Sequence, residues 1–304
     1  MKVNAEISKE LYEICYLVEN QIVGQEDLTM CDWWAKKQAF RHALTISSIL
    51  KHVKSGKQQA VRIFNMSGLS SGNQDFSICY YLGMLGIPFE YNVLEHPNSP
   101  YLKNQVFQRK VDELKVNIIY GDLNDLRSTE IKGKVGDPDI ILFTEIAEHL
   151  EHSIMLHSLR VIHELLADDG YLILTTPNLD SFQNRIKHLL GREIDYWGDG
   201  VANQEQGLFG HIVYYNLPRL RRLLHDVGLT PINLFTVNYP FVDPELKGIK
   251  RALQSAKIKL LDSIIASGEL SWRLPTYMNT TKTLGEQIYL EARKAPRKAI
   301  PFEL

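Results

Sequence analysis

Cysteine is nearly absent from this chain, and the three that occur, Cys15, Cys31 and Cys79, form neither a C-x-x-C pair nor a metal-knuckle spacing. That pattern excludes a disulfide framework and reads as reduced thiols of a cytosolic protein. An excess of one charge is missing as well. With 34 Lys+Arg against 36 Asp+Glu the net charge is -2, so there is no bulk electrostatic footprint for nucleic acid or for an anionic membrane. No segment approaches the roughly 20 apolar residues that span a bilayer, and the opening MKVNAEISKE has no apolar signal-peptide core. Repeats and low-complexity tracts are absent. What remains is an ordinary globular composition, 44% hydrophobic over 304 residues, for which a cytoplasmic location is expected.

Hydrophobic spacing orders the chain. Helical periodicity from Ile7 to Val23 and from Trp33 to Val53 predicts two or three N-terminal helices, a cap over residues 1–56. Short apolar runs then alternate with helical segments. The runs are VRIFNM (61–66), FEYNVLE (89–95), VNIIYGD (116–122), DIILFT (139–144), YLILTTP (171–177), LTPINLFTV (229–237) and EQIYLEARK (286–294). Such alternation predicts an α/β fold, a doubly wound, mostly parallel seven-stranded sheet covered on both faces. It would occupy residues 57–304, with a helical insert at about 243–277 before the last strand.

In an open sheet of this kind ligands bind beyond the carboxyl ends of the strands, near the point where strand order reverses. The residues expected there are Asn65 to Gly72, Glu95, Asp122, Thr144, Glu145 and Thr176 to Asn178. Glu95 can accept both hydroxyls of a ribose, and Asp122 can accept a proton from an exocyclic amine. The segment SGLSSGNQD supplies small residues before a helix start, where backbone N–H groups can approach an anionic group. Directly after the fourth strand, TEIAEHLEH (144–152) places Glu145, Glu148, His149 and His152 at i, i+3, i+4 and i+7. A helix starting near Thr144 or Glu145 would turn all four to one face.

From about Val61 to Gly228 the chain resembles the class I S-adenosylmethionine-dependent methyltransferases, with their Rossmann-like fold. DIILFTEIAEHLEH is similar to that family's strand-four motif with its E-x-x-E-H continuation, and LLADDGYLILTTPN to its strand-five segment. GHIVYYNLPRLRRLLHDVGL (210–229) resembles the later part of a subgroup with many small-molecule and sugar O-methyltransferases. The first glycine motif is atypical. Where the family has an acid and G-x-G-x-G, this chain has Asn65, Ser67, Gly68, Leu69, Ser70, Ser71 and Gly72. Here Asn65 brings no negative charge, and Leu69 is expected to restrict close approach of the backbone. The resemblance implies S-adenosyl-L-methionine as cofactor, held by Asn65, Ser67, Gly68, Gly72, Glu95, Asp122, Leu123, Thr144 and Glu145.

It also implies two chemistries for the acceptor. In one, Glu145, Glu148, His149 and His211 hold a divalent metal (Mg²⁺, Mn²⁺ or Zn²⁺) that lowers the pKa of a bound hydroxyl. In the other, His149 or His211 is the general base, since an imidazole titrates near neutrality. The expected function is O-methylation of a small molecule or glycan acceptor, such as a surface-polysaccharide or natural-product precursor. RNA 2′-O-methylation is the alternative enzyme, against which the near-neutral charge argues. A non-catalytic partner protein that kept the fold is the alternative from another class. Trp33 and Trp34 are read as core residues in preference to a substrate platform, at most one of them facing the site, and Tyr214, Tyr215, Asn178 and Trp197 as candidate acceptor contacts. His42, His52, His157 and His163 are read as packing or surface groups. The apolar stripe of 243–267, flanked by lysines and arginine, predicts a helix that docks on its own domain or a second subunit, or contacts a membrane surface.

Overall fold

A computed structural model describes residues 5–23, 31–53, 60–69, 72–192, 194, 210–238 and 285–295. It also describes Gly248, Ala252, Ser255, Ala256, residues 273–274 and residues 278–281. Among the described residues two helices, α1 (Ala5–Val23) and α2 (Cys31–His52), precede the first strand, where the periodicity predicts two or three. Then follow β1 (Val61–Asn65), α3 (Gly72–Met84), β2 (Phe89–Glu95), α4 (Gln105–Glu113), β3 (Val116–Tyr120), α5 (Ser128–Val135) and β4 (Ile140–Thr144). After these come α6 (His152–Leu165), β5 (Tyr171–Pro177), α7 (Phe182–Leu189), α8 (Leu217–Asp226) and β6 (Leu229–Asn238). The chain closes with β7 (Arg273–Leu274), β8 (Met278–Thr281) and β9 (Gln287–Lys294).

Among the described residues these strands form one sheet in the order β3-β2-β1-β4-β5-β9-β6-β8-β7. Strands β1 to β5 pair in parallel, and β9 enters antiparallel between β5 and β6. These seven are the expected sheet. The short β7 and β8, which the sequence reading did not contain, extend its β6 edge by antiparallel pairing. β7 falls inside the stretch expected to be a helical insert. Of the basic stripe at 243–267, Gly248, Ala252, Ser255 and Ala256 alone are described, so the docking or membrane-contact helix lies outside the described residues. No helix among the described residues is long and apolar enough to cross a membrane.

Both faces of the sheet are buried, which is why its central strands read as continuous apolar runs. Along β4, Ile140 and Leu142 face one core while Ile141 and Phe143 face the other. The first core also takes Leu11 of α1, Ile46 of α2 and Phe76 of α3; the second takes Leu159 of α6 and Leu224 of α8. The N-terminal helices thus share a core with the sheet. α2 runs antiparallel to β5 across that face: Arg41 reaches Glu145 beyond the end of β4, while the His52 ring stacks on Tyr171 at the start of β5.

A buried polar cluster anchors this helix. The Glu291 carboxylate on β9 accepts hydrogen bonds from Ser48 Oγ of α2 and Asn233 Nδ2 of β6, with His52 Nε2 at 3.4 Å. Gly285, just before β9, has no room for a side chain, since a Cβ would lie 2.5 Å from the backbone nitrogen of Val237. Its carbonyl accepts from Asn178 Nδ2 at 2.7 Å, which ties the end of β5 to the start of β9.

Candidate active site

Strand order reverses between β1 and β4, so ligands are expected at the carboxyl ends of these two strands and their neighbours. Ser67, just past β1, has its hydroxyl accepting from the backbone N–H of Thr144 at 2.6 Å, which links the β1 loop to the end of β4. Gly68 has φ +76, and a Cβ there would come within 3.4 Å of the Glu95 carboxylate. Only glycine takes that conformation readily while leaving the carboxylate its space. Glu95 itself is buried, accepting from the backbone N–H of Leu69 and, at 3.1 Å, of His96. His96 Nε2 lies 3.8 Å from Asp122, an exposed group whose Oδ1 accepts from the backbone N–H and side chain of Asn124. Leu123 is half-buried against the second core, and Gly72 opens α3. Asn65, Ser67, Gly68, Glu95, Asp122 and Glu145 are therefore gathered along one edge.

Two expectations about this loop change. Leu69 turns its side chain into the first core, so it does not stand over the loop. Asn65 is committed internally: its Oδ1 accepts from Ser67 N–H at 2.8 Å, and its Nδ2 donates to Asp75 Oδ1 at 2.7 Å and weakly to Gly68 O at 3.4 Å. Its side-chain groups hold the loop.

TEIAEHLEH is not one helix. Glu145 has φ +54, uncommon for a non-glycine residue and a candidate for strain held by its surroundings. Thr175 and Gln287 donate to its Oε1, the first at 2.8 Å, and Arg41 Nη1 lies 3.2 Å from its Oε2. A 3-10 turn, Ala147–His149, follows, and α6 begins only at His152. His152 lies on the exposed side of that helix start, apart from the turn. This break sends Glu145 towards α2 and β9 while Glu148 and His149 meet the segment after residue 209.

That segment is docked by the turn. The backbone carbonyl of Glu148 accepts from the N–H groups of Ile212 and Val213 at 2.9 and 3.2 Å. His149 Nδ1 donates to the carbonyl of Gly210 at 2.9 Å, since a carbonyl can only accept, leaving Nε2 as the lone-pair nitrogen of a neutral ring. The rings of His149 and His211 are 4.9 Å apart, and His211 Nε2 lies 4.0 Å from Glu148 Oε1. One ligand atom from each of Glu148, His149 and His211 falls within 4.8 Å of the others. Glu145, expected as a ligand together with Glu148 and His149, is outside this set, its oxygens facing Arg41, Thr175 and Gln287, while His211, expected as an additional ligand, is within it.

Burial dominates the electrostatics. It pushes the Glu148 carboxyl well above the usual range, with the neighbouring Glu145 charge adding to the effect against the hydrogen bond from Thr176 Oγ1 at 2.9 Å. It lowers His149 below 6.5 despite the Gly210 hydrogen bond, and takes His211 down to about 4, helped by repulsion from His149. Both imidazoles are thus neutral at neutral pH, the form that accepts a proton or binds a cation.

The candidate acceptor contacts divide. Asn178 is buried and structural, its side chain holding Gly285 O and the Asp180 N–H. Tyr215 is also buried, with Arg219 over its ring, whereas Tyr214 stands edge-on to His211 at 6.2 Å. The side chains of Trp33 and Trp34, and all of Trp197, lie outside the described residues. His42, His52, His157 and His163 are packing groups, facing Glu19, Glu291, Leu126 O and Gly228 respectively.

Several site residues were not foreseen. Arg41 sits in an unremarkable helical pattern, and Gln74 and Asp75 read as an ordinary polar helix start. Both of the latter are buried. Gln74 Nε2 donates to Thr144 Oγ1 at 3.2 Å, and Asp75 Oδ1 accepts from Asn65 and, at 2.5 Å, from Tyr91 OH. Burial carries the Asp75 carboxyl up to about 7, opposed by Tyr91 and Asn65 and supported by repulsion from Glu95.

No curated protein matches the chain. Among solved structures, a SAM-dependent methyltransferase from Archaeoglobus fulgidus shares 12% identity, covering 86% of this chain and 99% of that one, with a TM-score of 0.44. Magnesium protoporphyrin IX methyltransferase from Synechocystis PCC 6803, with bound SAH, also shares 12%, covering 95% and 98%, with a TM-score of 0.46. The 1,6-didemethyltoxoflavin-N1-methyltransferase of Burkholderia thailandensis shares 12%, covering 97% and 93%, with a TM-score of 0.45. The family profile described as "Methyltransferase domain" matches residues 77–234, just over half of the sequence, so the chain belongs to the class I S-adenosylmethionine-dependent methyltransferase family.

Proposed function

We propose that the chain transfers a methyl group to a hydroxyl of a small molecule or sugar, with the Glu148, His149 and His211 cluster handling the hydroxyl proton. The observation that carries this reading is the orientation of His149. Its Nδ1 is fixed on the Gly210 carbonyl, so its Nε2 is a neutral base on a rigid turn beside the strand-end edge. An alcohol needs such a base, because it loses its proton during transfer.

S-adenosylmethionine supplies, when bound, a methyl carbon on a positively charged sulfur. The residues of the β1 and β2 ends fit its nucleoside part: Gly68 leaves space beside Glu95, and Asp122 stands exposed nearby. The chain's own contribution is positioning, which can supply a large share of the rate of a two-reactant displacement. Arg41 pairs with Glu145, whose charge acts on both imidazoles and partly offsets the effect of their burial. Glu148, His149 and His211 would also hold a divalent cation. Two imidazoles and one carboxylate suit Zn²⁺ or Mn²⁺ better than Mg²⁺, and such an ion would lower the pKa of a bound hydroxyl.

The test is to incubate the protein with S-adenosylmethionine and a panel of sugars, phenols and amines, following S-adenosylhomocysteine release and product mass. Methyl ethers are expected. Methylation confined to nitrogen acceptors would overturn the reading. Chelation by EDTA divides the two versions: activity lost and restored by Mn²⁺ or Zn²⁺ assigns a cation to the cluster, and an unchanged rate assigns the proton to the imidazoles alone.

A further inference from the structure

The first turn of α3 holds two buried oxygens that lack a hydrogen-bond donor among the described residues, Gln74 Oε1 and Asp75 Oδ2. Their partner atoms fix where they lie. Gln74 Nε2 reaches Thr144 at the end of β4, and Asp75 Oδ1 receives Asn65 from the end of β1 and Tyr91 from β2. Both side chains are thus tied to the two strands between which the sheet order reverses. Buried acceptors in native proteins are nearly always paired. Two such oxygens on successive residues, one a carboxylate, call for a donor that is cationic and has several N–H groups.

Asn65 is spent on Ser67, Gly68 and Asp75, so it cannot answer that need. Glu95 is close enough to repel Asp75, and a cation at this spot relieves the repulsion. We propose that Asp75, assisted by Gln74, receives the ammonium group of the cofactor's methionyl part, so that the negative charge of this subsite comes from α3 and not from the end of β1. This assignment rests on the S-adenosylmethionine reading above. The role is one of binding. No bond of the reacting methyl involves either residue.

The experiment is calorimetric titration of the full chain with S-adenosylhomocysteine and with 5′-methylthioadenosine, which keeps the nucleoside and lacks the amino acid. Asp75→Asn is expected to weaken S-adenosylhomocysteine about tenfold or more, as loss of a charge-assisted hydrogen bond does, and to change methylthioadenosine less than about twofold. Equal losses for both ligands, or no loss for either, overturn the assignment. Gln74→Leu, which leaves the Asp75 carboxylate in place, provides a second reading if Asp75→Asn does not fold. A loss of about threefold confined to S-adenosylhomocysteine supports the proposal, and equal changes in both overturn it. A wild-type chain that binds neither nucleoside overturns the cofactor reading and this assignment with it, a result distinct from every variant outcome.

Discussion

Replacing His149 with alanine is expected to lower turnover of methyl transfer by about 10²–10⁴, the usual range for removal of a positioned general base. The affinity for S-adenosylhomocysteine should change little, because His149 contacts the Gly210 segment and His211, away from Gly68 and Glu95. The pH profile separates this role from a structural one. The imidazole works as a base in its neutral form, and burial lowers its pKa below 6.5. Wild-type turnover should therefore be flat from neutral pH upward and fall on the acid side as the ring takes up a proton. In His149→Ala that limb disappears along with most of the rate. A variant with lost rate but an unchanged acid limb would show that another group carries the proton.

Glu291→Ala is expected to destabilise the fold by about 3 kcal/mol, read as a lower urea midpoint. Burial alone would raise this carboxyl, but hydrogen bonds from His52, Ser48 and Asn233 outweigh it and bring the pKa from 4.5 to about 2. A depression of that size corresponds to about 3 kcal/mol of preference for the ionised form in the folded state. The sign follows from the depressed value. The contribution is complete above pH 4.5 and is lost as pH falls towards about 2, so the wild type should weaken over that window and Glu291→Ala should be less sensitive there. Removal also leaves the buried Ser48 hydroxyl without its acceptor and loosens α2, the helix that brings Arg41 to Glu145. Glu291→Gln, which keeps one acceptor oxygen, should lose less than alanine. Equal stability of all three proteins would remove the cluster from any anchoring role.

Asp75 provides the contrast to Glu291. Both carboxylates are fully buried, yet burial wins at Asp75 because two donors share one of its oxygens while the other has none among the described residues. At Glu291 both oxygens have partners and the donors win.

The parallel sheet was legible because its strands are buried on both faces. VRIFN, FEYNVLE and YLILTTP stand out as apolar runs whatever their tertiary surroundings. The turn within TEIAEHLEH was not, since its helical spacing is sound locally. It is the pull of Arg41, Thr175 and Gln287 on one carboxylate that accompanies the left-handed Glu145, and Gln287 is 142 residues away. Glu148 and His149 of the candidate cluster could be named from the E-x-x-E-H pattern and His211 from GHIVYY, whereas the Glu291 cluster hides in a strand where a charged residue reads as solvent-facing. The two short strands β7 and β8 carry too few residues to show a period.

On this reading the ends of β1, β2 and β4 form one cofactor site beside the Glu148, His149 and His211 cluster. Calorimetric titration of the full chain with S-adenosylhomocysteine is the decisive test. One site per chain, with a dissociation constant of roughly 1–100 μM, comparable to common enzyme affinities, is the predicted result. The absence of both heat and thermal stabilisation at about 1 mM ligand would contradict it, because a ligand at ten times its dissociation constant or more must stabilise the fold measurably.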